Sequence, residues 1–350
     1  MNWEKNVRKV EPYIPGEQPK RQNIIKLNTN ECPYPPAPGV KAALERIQYE
    51  NFRLYPDANI TELSSELAKY YHVNKEQVFV GVGSDDVLAM AFLTFFNSDK
   101  PVLFPDITYA FYDVWAELYG IPYKQIPLTD DFTIKSEDYF GENGGIVITN
   151  PNAPTGIYKE IGEIEEIIKA NPDVVVIVDE AYVDFGGQSC IPLVEKYDNL
   201  LVVQTFSKSR SMAGMRIGFA VGQEKIIGYL QDAKFSFNSY TMNQPALAVG
   251  VESVRDDAYF KETVGKIINT RERMKVEFKK LGFEMTDSMT NFLFVTHPKV
   301  AAADIFNAAR EEGIFLRYWN KPRINNYLRI TIGTDEEMDT LIDFLKKYLA

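Results

Sequence analysis

Lys208 stands in the stretch "QTFSKSRSMAGMRIG", residues 204–218, with Arg216 following it between a methionine and an isoleucine. Small polar residues box in the lysine, and the apolar run "LLVVQTF" leads into it. A charge at the mouth of such a run is costly to bury unless it is paired or used. A lysine amine can form a Schiff base with an aldehyde, and an arginine fork matches a phosphate. Further polar groups end other apolar runs: Asp179 and Glu180 end "VVVIVDE", Asn150 ends "GGIVITN", and Ser84 and Asp85 follow "QVFVGVG". The junction "GVGSDD" joins a strand to a helix, so its backbone N–H groups and the helix dipole suit a phosphate. Taken singly, each of these has a bland reading. The junction is neither G-x-G-x-x-G nor a Walker loop, and Ser or Asp there reads equally as an N-cap. Most lysines are surface solvation, Arg216 alone reads as structural, and Asp179 alone as a cap.

These residues need elements to bring them together. From Gln77 onward the pattern alternates between short Val/Ile-rich runs and helical stretches. "QVFVGVG", "KPVLF", "GGIVITN", "VVVIVDE", "LLVVQTF" and "RIGFAVG" read as strands. "SDDVLAMAFLTFF", "TYAFYDVWAELYG" and "IGEIEEIIKA" read as helices. Such alternation predicts an α/β fold with a largely parallel sheet covered on both faces. Ligands of open α/β sheets bind beyond the carboxyl ends of the strands. One crevice is therefore expected to gather Asp179, Lys208, Asn152 and the 81–85 turn. A Schiff-base lysine, a carboxylate able to pair with a protonated pyridine nitrogen, and a phosphate anchor (the 83–85 turn, Ser207 and Arg216) are the set that pyridoxal phosphate requires.

Around this centre the chain reads as three parts. Residues 1–50 form a Pro-rich, extended N-terminal arm that belongs partly to a small domain; residues 51–255 form the large domain, and residues 256–350 a smaller α/β domain. "NITELSSELAKYY" reads as a helix capped by Asn59, with Glu62 three residues on. "DDAYFKETVGKIINTRERMKVEFKKLG" reads as one long amphipathic helix ended by Gly282.

Composition narrows the class. The 350 residues are 45% hydrophobic and 25% charged with a net charge of −11, which predicts a soluble globular protein without a nucleic-acid surface. The longest apolar run, "VVVIV" at 174–178, is far too short to span a bilayer, and the N-terminus shows no signal-peptide pattern. Cys32 and Cys190 lie far apart without a C-x-x-C pattern, which suggests a reducing, cytoplasmic setting. With only His72 and His297 besides, a metal site is not expected.

The motifs carry a resemblance. "SKSRSMAGMRIG" resembles the lysine signature S-K-x-x-x-x-x-G-x-R-x-G of fold-type I aminotransferases, "NPNAPTG" their N-P-T-G-type loop, and "VDEAY" their Asp-x-x-Tyr element. "PYIPG", "KLNTNE", "RLYPD", "GVGSDD", "TYAFY" and "YLRITIGT" are similar to the histidinol-phosphate aminotransferase branch of that family. The resemblance runs in order over nearly the whole chain. It implies a large domain with a mostly parallel seven-stranded sheet, a smaller C-terminal α/β domain, pyridoxal 5'-phosphate as cofactor, and a homodimer with shared active sites. It implies transfer of an amino group between histidinol phosphate and 2-oxoglutarate/glutamate in histidine biosynthesis, so the partners are a small-molecule amino donor and a 2-oxo acid.

Residue by residue, the resemblance assigns the Schiff base to Lys208, the pyridine nitrogen to Asp179 and the ring hydroxyl to Tyr182. Tyr109 covers the ring face. Ser84, Asp85, Ser207 and Arg216 hold the phosphate, with Thr205 nearby, and Tyr55 reaches the phosphate bound by the neighbouring subunit. Arg329 takes the substrate α-carboxylate, Arg317 the substrate phosphate, and Asn30 lines the substrate pocket. Two departures stand out. Ala153 occupies the position where the family often carries asparagine, leaving Asn152 beside it as the substitute; and Arg323 lies between Arg317 and Arg329, so two arginines compete for the substrate phosphate. An aromatic amino acid aminotransferase, with Tyr34, Tyr109, Tyr318 and Trp319 in the pocket, is the alternative within the class. A threonine-phosphate decarboxylase or a non-catalytic sensor on the same scaffold, and a nicotinamide-dependent dehydrogenase, are more remote readings.

Overall fold

A computed structural model of the chain describes residues 2–20 and 23–350. The first elements are β1 (Ile25–Lys26), α1 (Pro38–Arg46), α2 (Thr61–Tyr71), β2 (Val78–Gly81) and α3 (Ser84–Phe95). Then come β3 (Val102–Pro105), α4 (Tyr112–Tyr119), β4 (Tyr123–Ile126), β5 (Gly145–Thr149), α5 (Ile161–Ala170), β6 (Val176–Asp179), β7 (Leu200–Thr205) and β8 (Gly218–Gly222). The last third holds α6 (Glu224–Phe237), α7 (Gln244–Arg255), α8 (Asp257–Lys280), β9 (Glu284–Met285), β10 (Phe292–Thr296) and α9 (Ala302–Glu311). It ends with β11 (Ile314–Phe315), β12 (Arg317–Tyr318), β13 (Leu328–Thr331) and α10 (Asp335–Leu349).

Seven strands form one sheet in the order β2-β8-β7-β6-β5-β3-β4. Its central strands are buried on both faces, which is why they read as unbroken Val/Ile runs. Ile146, Ile148, Val176 and Val178 point to one face, against Leu63 and Leu67 of α2, Ile164 and Ile167 of α5 and Val249 of α7. Val147, Ile177, Leu201 and Val203 point to the other, against Val87 and Leu88 of α3, Trp115 of α4 and Leu230 of α6. A smaller antiparallel sheet, β12-β13-β10-β9, carries its own buried cluster with Ile267 and Met274 of α8, Ile305 of α9 and Leu341 of α10. The β1 strand pairs in parallel with β11, so the N-terminal segment is stitched to the C-terminal third.

One strand departs from the parallel pattern, and the site depends on it. β8 runs antiparallel to both neighbours, pairing Gly218 with Thr205 of β7 and with Gly81 of β2. The start of β8 therefore lies beside the carboxyl ends of β7 and β2, and the 206–217 loop that carries Lys208 and Arg216 opens at the mouth of the sheet. A Cβ on Gly218 would lie 2.2 Å from the Ser84 nitrogen, so only glycine permits this approach of β8 to the start of α3.

Several expectations require correction. The 1–50 arm is not uniformly extended: α1 forms within it, because Pro38 at its first turn supplies a preset φ and Val40 and Ala43 are buried against α7. Asn59 does not cap α2. Asp57 does so instead, accepting from the Thr61 and Asn59 amides, while Ile60 adopts φ 52° to turn the chain into the helix. "TYAFY" is not helical throughout; α4 begins only at Tyr112, and the preceding loop faces the site. The edge strand β4 escaped notice because "YKQI" has no apolar run.

Candidate active site

The carboxyl ends of β2, β5, β6 and β7 surround a cavity of about 170 Å³. Lys208, Asp179, Tyr182, Tyr109, Ser84, Asp85, Thr205, Ser207 and Arg216 all line it. A second cavity of about 580 Å³ opens outward from it, bordered by Asn30, Arg317, Arg323, Trp319 and Arg329. Lys208, Tyr109, Tyr182, Ala153 and Thr29 line both, so the amine stands on the wall between them.

Asp179 closes β6 and is buried, which pushes its carboxyl up to about 6 although Tyr112 and the Ala181 amide donate to it. The Lys208 amine donates to the Thr29 carbonyl at 3.2 Å and lies 5.9 Å from the Tyr182 ring centre. The Tyr182 hydroxyl accepts from the Asn30 amide at 2.9 Å, which joins the N-terminal segment to the wall of the inner cavity.

The end of the inner cavity expected to take a phosphate is built on α3. Helix geometry leaves the amides of its first turn without intrahelical acceptors. Arg216 reaches over them, 3.0 Å from the Asp85 carboxylate and 3.4 Å from the Ser207 hydroxyl. Arg216 itself adopts φ 53°, and Gly83, at φ 86°, leaves the room its guanidinium occupies. The Tyr109 hydroxyl donates to Asp85 at 2.7 Å, and burial drives its ionisation far upward, so it stays a neutral donor.

The outer cavity ends in cations. Arg329 is half-buried; it donates to the Asn28 carbonyl at 2.9 Å, and its Nε is buried without a partner. Burial is the main influence lowering its ionisation, and neighbouring Arg317 acts in the same direction. Among the described residues neither Arg317 nor Arg329 forms an ion pair, and both guanidinium groups lie near the face of Trp319 at 5.0 and 5.2 Å. A guanidinium partly withdrawn from water and without a counter-ion is suited to an anion. Arg323 is different: it pairs with Asp106 at 3.1 Å and donates to the Leu128 and Thr129 carbonyls.

Four expected contributors are not in these walls. Asn152, expected to face the cofactor, is turned away: its amide nitrogen donates to the Ile107 carbonyl and the Thr155 hydroxyl, and its oxygen accepts from Thr108. Tyr34 and Tyr318 lie elsewhere, against Lys266 and Phe306 respectively. Tyr55 also lies outside, 80% exposed and stacked on Tyr240. Conversely, Tyr112, Thr149, Thr29 and Tyr13 were not anticipated. Thr149 had a usable signal, since it ends β5 as Asp179 ends β6.

The donor set fits pyridoxal phosphate: one amine, a buried carboxyl, and a cation beside helix amides that lack intrahelical acceptors all line the inner cavity. Residues 22–345 match the family described as aminotransferase class I and II. The chain is 56% identical to the histidinol-phosphate aminotransferase of Lactococcus lactis subsp. cremoris strain MG1363, covering 100% of this chain and 98% of that protein. It is 52% identical to the histidinol-phosphate aminotransferase of Acinetobacter baylyi, covering 99% and 97%. The crystal structure of histidinol-phosphate aminotransferase from Sinorhizobium meliloti in complex with pyridoxal 5'-phosphate superposes with a TM-score of 0.84 at 24% identity, over 93% of this chain and 90% of that one.

Proposed function

The chain belongs to the class I and II aminotransferases, and on that premise we propose that it exchanges an amino group between histidinol phosphate and 2-oxoglutarate, with pyridoxal 5'-phosphate as cofactor. The observation that carries this reading is the position of Lys208, on the wall between a cavity bounded by Asp179 and Arg216 and one ending in Arg317 and Arg329. When bound, pyridoxal phosphate supplies an aldehyde carbon for amines and a ring that spreads the electron pair left by a departing proton.

This chain's residues do the rest. Lys208 Nζ would be the amine that holds the aldehyde carbon and, when free, the base that takes the proton from the substrate α-carbon. Asp179 would pair with the ring nitrogen and keep a proton there, Tyr182 would bond the ring hydroxyl, and Tyr109 would cover the ring. Arg216, Ser207 and the first amides of α3, at Ser84 and Asp85, would hold the phosphate. Arg317 would take the substrate's phosphate, since Arg323 is already committed to Asp106 and two carbonyls. Arg329 would take the carboxylate of the 2-oxo acid and share the phosphate of the other substrate.

A homodimer belongs to the same reading. Tyr49, Phe52, Leu54 and Tyr55 are exposed along one short stretch, with exposed Tyr240 stacked on Tyr55, apolar surface of the kind that subunits cover. The test of the function is spectroscopic. The cofactor-loaded protein is mixed separately with histidinol phosphate, phenylalanine and glutamate, and loss of the yellow absorbance is followed. Fast bleaching by histidinol phosphate and glutamate, and slow bleaching by phenylalanine, is expected. Preference for phenylalanine would make the protein an aromatic aminotransferase instead.

A further inference from the structure

Behind Asp179 runs a line of hydroxyl groups that the reaction as described above does not use. The Tyr112 hydroxyl donates to Asp179 Oδ2 at 2.8 Å and lies 2.6 Å from Thr149 Oγ1. Thr149 Oγ1 lies 3.0 Å from Thr108 Oγ1, which donates to Asn152 Oδ1 at 2.8 Å. The line crosses the carboxyl ends of β6, β5 and β3. Tyr112 has no exposed surface and is boxed by Phe92, Phe104, Tyr109 and Trp115, so its phenol has one available position.

The protons in this line can be counted. Both protons of the Asn152 amide nitrogen are committed, to the Ile107 carbonyl at 2.9 Å and Thr155 Oγ1 at 3.0 Å, so Asn152 Oδ1 is fixed as the acceptor at the far end. An ionised Asp179 is an acceptor at the near end. Between two acceptors stand three hydroxyls, with three protons for four contacts. One contact must go without. A proton on Asp179 supplies the fourth: Asp179 then donates to Tyr112, Tyr112 to Thr149, Thr149 to Thr108, and Thr108 to Asn152. Burial of Asp179, which pushes its carboxyl up to about 6, acts in the same direction.

We propose that Tyr112 is a positioning residue for Asp179, and that the Tyr112–Thr149–Thr108–Asn152 line lets the carboxyl change its proton content by reversing the Tyr112 hydroxyl. With Asp179 protonated the line is complete in one direction. When a cationic ring nitrogen faces Asp179, the carboxylate forms, and the Tyr112 hydroxyl turns to donate to it. No atom is gained or lost within the line beyond that one proton, which passes to the ring nitrogen if that nitrogen arrives neutral and to solvent if it arrives already cationic. This rests on the cofactor site proposed above, and it gives Asn152 a role: it ends the line rather than touching the cofactor.

The test is Tyr112→Phe, which keeps the ring and removes the hydroxyl. Two readouts are used: equilibrium dissociation of pyridoxal phosphate, and the pH midpoint of the bound cofactor's absorbance. Loss of the hydroxyl makes the carboxylate less stable, so the ring nitrogen holds less positive charge. Cofactor affinity is expected to fall about tenfold, and the absorbance midpoint to rise by about half to one pH unit. The same substitution made on Asp179→Asn should change neither readout further, because Tyr112 acts through the carboxylate. Thr149→Val serves if Tyr112→Phe fails to fold: it leaves the phenol with Asp179 as its one remaining partner, so the carboxylate gains and the midpoint should fall, and an unmoved midpoint there would count against the line. Wild-type affinity and midpoint in the folded Tyr112→Phe protein, or an undiminished effect on the Asn background, would overturn the proposal. Failure of the wild-type protein to bind pyridoxal phosphate would instead remove the reading on which it rests.

Discussion

The Lys208 amine reaches the Thr29 carbonyl, a neutral acceptor, and no carboxylate holds it in an ion pair among the described residues. It is thus anchored loosely enough to leave for an aldehyde. Lys208→Ala is expected to lower turnover by at least about 10⁴-fold and to remove the lysine-linked absorbance; retained turnover on the purified variant would sink its role. Asp179→Asn keeps the shape but withdraws the charge, so about a 10²-fold or larger loss in kcat is expected, measured at saturating substrate. Glu180, next in sequence, serves a different end. It is buried beneath the site and accepts from Ser189, Gln204 and the Cys190 amide. Burial pushes its carboxyl up to about 7 from an ordinary 4.5. A raised carboxyl stabilises the fold fully below the ordinary value and loses that contribution as pH rises through the folded one. Glu180→Gln, with fewer acceptors, should therefore be less stable than wild type at pH 5, and the gap should narrow by pH 8. Urea midpoints of the cofactor-free protein at the two pH values measure this; a constant gap would contradict it.

At the level of elements, the positions of Asp179 and Lys208 were legible because both end runs of Val and Ile that can only be buried strands. The direction of β8 was not legible, since "GFAVG" has the same pattern whichever way it runs. Nor was the orientation of Asn152, which is decided by the Ile107 carbonyl, a partner distant in sequence. The α1 helix was hidden by its prolines, which mark a helix start as readily as an extended arm. Between β2 and α3, the turn depends on one residue. Gly83 sits at φ 86°, and a Cβ there would come within 2.5 Å of Arg216 Nη2. Gly83→Ala strains the turn by about 1 kcal/mol and displaces the guanidinium. Its expected signature is weakened cofactor binding with only a modest change in melting temperature. Unchanged affinity, measured by titration with pyridoxal phosphate, would show that Arg216 can move aside without loss.

For the whole molecule, the exposure of Tyr55 is the informative feature. If it completes a partner's site, mixing inactive Lys208→Ala with impaired Tyr55→Ala should generate mixed dimers carrying one intact site. Activity after subunit exchange should exceed the sum of the two separate preparations. Additive activity, with mixed dimers demonstrated by mass, would place Tyr55 outside catalysis.

The shared wall between the two cavities has a kinetic consequence. A single amine faces a single outer chamber, and on the function proposed above the Arg317–Arg329 end of that chamber would receive either reactant. On that reading the two reactants would not be aboard together: the first product would depart before the second reactant enters. Initial-rate plots at several fixed concentrations of the second reactant should run parallel. Each reactant in excess should compete with the other for the wrong form of the enzyme, so that high concentrations slow the cycle.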